Sequence, residues 1–165
     1  YSNITQHNAV LWVAIVSFMI MYHLWLRIIM GNVTKLFRIE YTMSWFKERP
    51  FEKKLYKLLK VRRWKDKALT YNPELFSVKD CSLAEIANTM AKAETDHWIN
   101  EIISVSSILF SLLWGKVWIF AITAFVAMIF DAQFILIQRY NRPRIVRIIE
   151  KKAKKNIATQ RQMSL

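Results

Sequence analysis

The feature that most constrains the fold is an almost unbroken apolar stretch, 9–30, which only His23 and Arg27 interrupt. Its length matches the roughly 20 apolar residues that a helix needs to cross the hydrocarbon core of a bilayer. No basic residue precedes the stretch and no small-residue cleavage site follows it. We therefore interpret it as a retained membrane helix and not as a cleaved signal peptide.

Glycine and proline are scarce, with two and three residues in a chain of 165. Strand-and-turn architectures need such residues about every 8–12 positions, so the composition excludes an all-β fold and predicts an all-α one. Hydrophobic residues make up 54% of the chain and include seven Trp and ten Phe, which is more apolar surface than one small core can bury. We therefore expect a small integral membrane protein.

Two further apolar runs lie in the second half of the chain, a short one at 99–114 and a longer one at 117–137. Only Gly115 and Lys116 separate them, and so short a link forces two antiparallel helices. Together with the first stretch, 9–30, these runs predict about three transmembrane helices. We expect the whole chain to form a single membrane domain.

The distribution of charge predicts how the chain is oriented. Lys and Arg outnumber Asp and Glu by 25 to 12, and they are concentrated in the section 31–98 and in the tail 139–165. Cytoplasmic segments are rich in Lys and Arg, so both belong inside, whereas 1–8 and Lys116 belong outside. We expect a multi-pass protein of the cell membrane with an external N-terminus and a cytoplasmic C-terminus. An anionic leaflet accounts for the positive charge, and no motif indicates nucleic acid as a partner.

The cytoplasmic section contains a basic amphipathic stretch, 51–64. Aromatic, Leu and Lys residues alternate there at helical spacing, which is typical of a helix lying along a membrane surface. A soluble helix packed on its neighbour would carry the same pattern. Further on, Ser82 and Glu85 form the capping-box pair that starts a helix, and no strong breaker follows. We expect one long helix from Ala84 to Trp114.

Three ionisable residues share one face of that helix. Glu94, His97 and Glu101 follow at i, i+3 and i+7, which places them within a sector of about 60°. Ionisable side chains that enter a membrane are costly and indicate function. In a catalytic interpretation, His97 is the general base and Glu94 orients its ring. The alternatives are a polar cap against lipid headgroups and a metal site, for which one Glu-x-x-His motif supplies too few ligands.

The last apolar run carries a matching polar face, with Asp131, Gln138 and Arg142 at i, i+7 and i+11. A carboxylate at this depth needs a partner, and Gln138, Arg142 and His97 are the candidates for Asp131. Three arginines then cluster at the membrane exit, where Pro143 is expected to break the helix. They suit an anionic headgroup or an activated acyl donor, and a plain positive-inside anchor is the alternative. The candidate substrate-binding residues are Arg139, Asn141, Arg142, Arg144, Gln138, Asp131 and Glu101.

Three motifs carry a resemblance to a known family. They are A-E-T-D-H-W-I at 93–99, I-Q-R-Y-N-R-P-R at 137–144 and V-R-R-W-K at 61–65. Over roughly residues 50–150 the chain resembles the glycosyl-4,4'-diaponeurosporenoate acyltransferase family. These small membrane proteins are associated with the last step of staphyloxanthin-type carotenoid synthesis, in which a fatty acyl group is attached to a sugar hydroxyl of a glycosylated C30 carotenoid acid.

The resemblance implies a membrane acyltransferase that takes a lipid or glycolipid acceptor and an activated acyl donor, with no cofactor and no metal. His97 would be the base and Glu94 its orienting carboxylate, and Asn141 or Gln138 would polarise the acyl carbonyl. A competing interpretation is a non-catalytic lipid-binding or assembly subunit, whose polar stripe contacts a partner helix. Either interpretation leaves room for a protein partner or an oligomer. The chain has no H-x-x-x-x-D motif, no G-x-S-x-G elbow and no P-loop.

Overall fold

The computed structural model describes residues 2–68 and 73–163, and within these ranges it contains helices and turns but no strand. The all-α fold expected from the sequence is confirmed. The α-helices in the described part are α1 (Ser2–Val33), α2 (Glu52–Leu58), α3 (Val61–Trp64), α4 (Leu83–Ser107), α5 (Ser111–Trp114) and α6 (Val117–Met163). Short 3-10 turns occupy Thr34–Leu36, Ser44–Phe46, Lys65–Lys67, Pro73–Phe76 and Ile108–Phe110.

The chain divides into two compact units, and helices α4 and α6 each run through both. The first unit consists of Tyr1–Arg38 and Thr95–Gln133. The second unit consists of Ile39–Glu94 and Phe134–Leu165. Helix α1 therefore belongs to the first unit, and helices α2 and α3 belong to the second.

In the first unit, α1 packs against the end of α4, against α5 and against the start of α6. Tyr22 and Ser106 share a hydrogen bond of 2.9 Å between their hydroxyl oxygens. The ring of Phe18 lies edge-on against Phe110 and Trp114, with centroid distances of 4.9 and 4.8 Å. The buried centre of this packing is formed by Ile15, Met19, Ile119 and Phe120.

Two helices are long and apolar enough to cross a membrane, by length and composition, at Asn8–Leu36 and Val117–Met163. Only 11% and 28% of their most apolar windows are buried inside the protein. Large apolar side chains such as Val13 and Phe125 are 66% and 62% exposed. A core helix of a soluble protein would bury its apolar face, so these helices are suited to an apolar solvent.

By this measure the described part of the chain has two helices of spanning length and not the expected three, because 99–114 forms an interrupted helix and not a continuous one. Helix α4 ends at Ser107, a 3-10 turn follows at 108–110, and α5 is only four residues long. At the interruption the hydroxyl of Ser107 donates to the carbonyl of Ser104 at 2.6 Å, and bonds of this kind to the preceding turn favour a bend in a helix.

The tight link at Gly115 and Lys116 is confirmed. Gly115 has a φ of 70°, and its N–H donates to the carbonyl of Ser111 at 2.7 Å. Glycine adopts this left-handed conformation at a helix end without steric cost. Helix α6 then starts at Val117 and turns back along the preceding segment, so the predicted hairpin is present.

The start of α4 has the predicted capping box. The N–H of Glu85 donates to Ser82 Oγ at 3.2 Å, and the N–H of Ser82 donates to Glu85 Oε2 at 2.7 Å. The hydrogen bond from the Ser82 backbone to the carboxylate lowers the pKa of Glu85 from its ordinary value. The ionised form of Glu85 therefore stabilises this helix end.

In the second unit, the stretch 51–64 forms two short helices and not a single one. Lys60 has a φ of 50°, in the left-handed region, and separates α2 from α3. Glu52 and Tyr56 are buried, whereas Leu58 is 77% exposed. The position of this stretch along a membrane surface stays a prediction.

Helix α6 continues through Pro143, so the expected helix break at this residue is wrong. Proline removes one backbone hydrogen bond and normally destabilises a helix interior. Side-chain contacts hold the helix on both sides of it, since Arg142 binds Glu94 and Arg147 binds Glu48. The basic residues beyond Glu150 are exposed.

Candidate active site

Asp131 is the centre of a polar cluster in the first unit. Its side chain is fully buried and accepts three hydrogen bonds. His97 Nδ1 lies 2.8 Å from Oδ1, and Asn100 Nδ2 lies 3.2 Å from the same oxygen. Arg27 Nη2 donates to Oδ2 at 2.5 Å. Of the three partners expected for Asp131, the structure shows His97.

The contact with Asp131 fixes the tautomer of His97. A carboxylate that is paired with a guanidinium only accepts, so Nδ1 of His97 carries a proton and Nε2 holds the lone pair of the neutral ring. The same arrangement orients the histidine of acyl-transfer triads and stabilises the imidazolium that forms when Nε2 takes a proton. The pair is therefore chemically suited to general base catalysis.

Further polar groups of the first unit are buried. Glu101 is only 9% exposed. Both ring nitrogens of His23, and Nε of Arg27, have no hydrogen-bond partner among the described residues. Such unsatisfied groups are rare in proteins and can bind water or polar parts of a substrate. Within the described residues, no three His, Cys, Asp or Glu side chains are arranged to hold a metal ion.

Glu94 is the centre of a second polar network, which lies in the second unit. Its carboxylate is fully buried and binds two guanidinium groups. Arg139 Nε donates to Oε1 at 2.7 Å, and Arg142 Nη1 donates to Oε2 at 2.5 Å. The expectation that Glu94 orients His97 therefore needs correction, because both oxygens of Glu94 are bonded to arginines and Asp131 is the carboxylate that binds His97.

Arg139 and Arg142, which were expected to bind an anion, are buried and bonded to the protein itself. Arg139 also binds the Glu52 carboxylate and donates to the Trp45 carbonyl at 2.9 Å. Arg142 donates to the carbonyl of Phe46 at 3.0 Å and lies over the ring of the same residue. Few of their donors are left for a substrate, so their geometry is that of a structural ion-pair network.

Tyr56 extends this network from α2. Its hydroxyl donates to Glu52 Oε2 at 2.8 Å, and its ring meets the ring of Tyr140 edge-on at 5.3 Å. Burial, together with the hydrogen bond to Glu52, raises the pKa of Tyr56. The hydroxyl therefore remains a donor throughout the physiological pH range.

The remaining predicted site residues of the second unit differ in exposure. Gln138 is buried, Asn141 is half-buried and Arg144 is exposed. The guanidinium of Arg144 lies 3.8 Å from the centre of the Tyr140 ring. Their contacts with an acyl donor or acceptor, including polarisation of the acyl carbonyl by Gln138 or Asn141, stay predictions.

Several residues of these networks, among them Arg27, Asn100, Glu52 and Tyr56, were not predicted from the sequence. Arg27 had a usable signal, since it is a charge inside the first apolar stretch and such charges need a partner. Asn100 follows His97 by three residues and so lies on the same helix face, which is a weaker signal. Glu52 lies in a section with many charges, and nothing in the sequence distinguishes it from the others.

The sequence profile of the glycosyl-4,4'-diaponeurosporenoate acyltransferases matches residues 42–151, which is more than half of the chain. The chain belongs to this family. The matched region contains Glu94, His97 and Asp131, whereas Arg27 lies outside it. No curated protein and no solved structure matches the chain.

Membership of the glycosyl-4,4'-diaponeurosporenoate acyltransferase family confirms the resemblance and decides between the two competing interpretations. The chain is an acyltransferase of carotenoid biosynthesis and not a non-catalytic assembly subunit. The roles of individual residues in the transfer stay predictions.

Proposed function

We propose that this acyltransferase moves a fatty acyl group from an activated donor onto a sugar hydroxyl of a glycosylated lipid or carotenoid acid, at the cytoplasmic face of the membrane. The observation that carries the proposal is the 2.8 Å contact between His97 Nδ1 and the buried carboxylate of Asp131. Family membership supports the reaction class, and this pair supplies the base that the class requires.

His97 is the general base in the proposed mechanism. Its Nε2 takes the proton of the acceptor hydroxyl while the hydroxyl oxygen forms a bond to the acyl carbonyl carbon. The bond from that carbon to the leaving atom of the donor then breaks, and His97 returns the proton to the leaving group. Asp131 stabilises the imidazolium between the two steps, and Arg27 and Asn100 hold Asp131 in place.

We assign a positioning role to the network around Glu94. Its carboxylate joins α4 to α6 within the second unit, through Arg139 and Arg142. Residues that act in this way are needed for a stable site but do not exchange protons with the substrate. This assignment replaces the catalytic role that spacing along α4 had suggested for Glu94.

The proposed location at the cytoplasmic face rests on charge. Arg27 and His97 both contact Asp131, and Arg27 lies close to the C-terminal end of α1. The basic section 31–98 follows α1 and includes His97, and the basic section 139–165 follows Asp131 along α6; positive charge favours the cytoplasmic side. An acceptor with a long apolar body in the lipid and a sugar at the interface suits such a position.

A double-mutant cycle of His97→Gln and Asp131→Asn tests the proposal. Transfer from a labelled acyl donor to a glycolipid acceptor is measured in detergent and normalised to folded protein. Loss of the base is expected to lower turnover by about 100-fold or more. Asp131→Asn acts through the same histidine, so the double variant is expected to be hardly worse than His97→Gln alone.

Asp80→Asn is the matched control, because it removes an exposed carboxylate outside the cluster. It is expected to retain wild-type turnover. Wild-type turnover of folded His97→Gln would remove the catalytic assignment, as would full additivity of the two single losses.

A further inference from the structure

A groove with an excess of positive charge lies on the second unit, beside α2, α3 and α6. Its volume is about 580 Å³, which is within the usual range for small-ligand sites of roughly 300–1,000 Å³. From α2, α3 and their link it is lined by Lys53, Lys57, Lys60, Arg62 and Arg63. Helix α6 adds Arg144 and Arg147, and Glu48 is the acidic residue among the described lining side chains. We call this feature the basic groove.

Charge, and not size, distinguishes the basic groove. A second groove of the same unit has a volume of about 570 Å³. Its lining balances Lys47 and Arg147 with Glu48 and Glu150, and its Arg142 is bonded to Glu94. In the basic groove Glu48 pairs with Arg147 at 2.6 Å and lies 4.0 Å from Lys53, so the one carboxylate among the described lining residues faces seven cations.

Aromatic packing holds part of the basic groove in a fixed geometry. The Arg144 guanidinium is stacked 3.8 Å from the Tyr140 ring, and Tyr140 is supported by Tyr56. Lys60 lies in the left-handed region, with a φ of 50°, which is unfavourable for a residue with a side chain. Strained residues of this kind tend to cluster at ligand sites.

We infer that the basic groove binds a ligand with two or more phosphate groups, and that this ligand is the nucleotide end of a thioester acyl donor. Arginine forks and lysine ammonium groups are the side chains that proteins use for phosphate. A donor of the coenzyme A kind carries a pyrophosphate and a further phosphate on adenosine, which suits several separated cations. The inference rests on the proposed acyl transfer. Anionic lipid headgroups offer the same phosphate chemistry, and the experiment separates the two sources.

The test measures binding of coenzyme A to the full chain in nanodiscs of neutral phosphatidylcholine, by calorimetry and without turnover. The double variant Lys57→Gln/Arg144→Gln is expected to weaken binding by at least about tenfold. Lys151→Gln/Lys152→Gln removes the same charge from the exposed tail of α6 and is expected to leave affinity within about twofold. Equal affinity of the two double variants overturns the inference.

A second arm uses phosphatidylglycerol vesicles. If headgroups are the source of the phosphate, coenzyme A does not bind in neutral nanodiscs, and the groove variant cosediments with these vesicles less than the tail control does. That result supports a phosphate site and overturns its assignment to the acyl donor. Absence of a difference with both probes overturns the site itself. His97→Gln is expected to bind coenzyme A normally, so a failure of the groove and a failure of the catalytic proposal are distinguishable.

Discussion

His97 and Asp131 lie 34 residues apart in the chain and are joined by a hydrogen bond of 2.8 Å. The hairpin explains the pairing, because Gly115 stands about midway between them and both arms rise at about 1.5 Å per residue. Positions at equal distance from the turn therefore lie at the same height. Gln138 and Arg142 were the other expected partners of Asp131. Both lie on the same helix as Asp131, so the hairpin does not bring them opposite its carboxylate.

Arg27 is expected to matter as much for stability as for activity. Arg27→Gln leaves the buried Asp131 carboxylate without its guanidinium, which should lower the free energy of unfolding by about 3–5 kcal/mol. Arg27→Gln/Asp131→Asn removes both charges and should be more stable than Arg27→Gln alone. Thermal unfolding in detergent measures the stability of each variant, with Lys116→Gln at the hairpin link as the control. If the double variant is less stable than both single variants, loss of the Arg27–Asp131 ion pair does not account for the destabilisation by Arg27→Gln.

Glu94→Gln should separate a positioning role from a catalytic one. Two buried guanidinium groups lose their shared carboxylate, so we expect a loss of about 3–5 kcal/mol in stability. The protein that remains folded should keep most of its specific activity and the wild-type pH profile. Glu150→Gln, on the exposed tail, is the matched control and should change neither. A large loss of turnover with unchanged stability would return Glu94 to the catalytic site.

The capping box gives a prediction with a defined dependence on pH. Ser82→Ala should lower stability by about 1 kcal/mol at neutral pH, because an N-cap hydrogen bond is lost. The pKa of Glu85 is lowered in the folded chain, so its contribution is present above the ordinary carboxyl range and is lost as pH falls through the lowered value. The difference in stability between wild type and Glu85→Gln should therefore disappear in acid. A difference that grows in acid would contradict this sign.

Local patterns were the part of the structure that the sequence predicted well. The hairpin at Gly115 and the cap at Ser82 depend on residues that are close together in the chain, so spacing was sufficient. The partner of Glu94 depends on how α4 packs against α6 in the second unit, and helical spacing alone favoured His97 instead. Hydropathy likewise predicted a full span over 99–114, because the scale averages apolar character and does not register where a helix changes to a 3-10 turn, as it does at 108–110.

The orientation of the chain can be tested with single cysteines. Cys81 is first replaced by alanine, and a cysteine is then placed at Lys116 or at Asn156. An impermeant thiol reagent should label Lys116→Cys in intact cells, and should label Asn156→Cys only after permeabilisation. The reason is electrostatic, since the hairpin link has a single basic residue whereas the tail after Gln138 is strongly basic.

The result bears directly on the proposed chemistry. Labelling of Asn156→Cys in intact cells would put the basic tail outside, and with it the part of α6 that lines the basic groove in the same unit. The acyl donor would then have to be present on the outer side of the membrane, where nucleotide-linked thioesters are not made. An external tail would therefore contradict both the orientation and the assignment of the basic groove, while the His97–Asp131 pair would keep its role as the base.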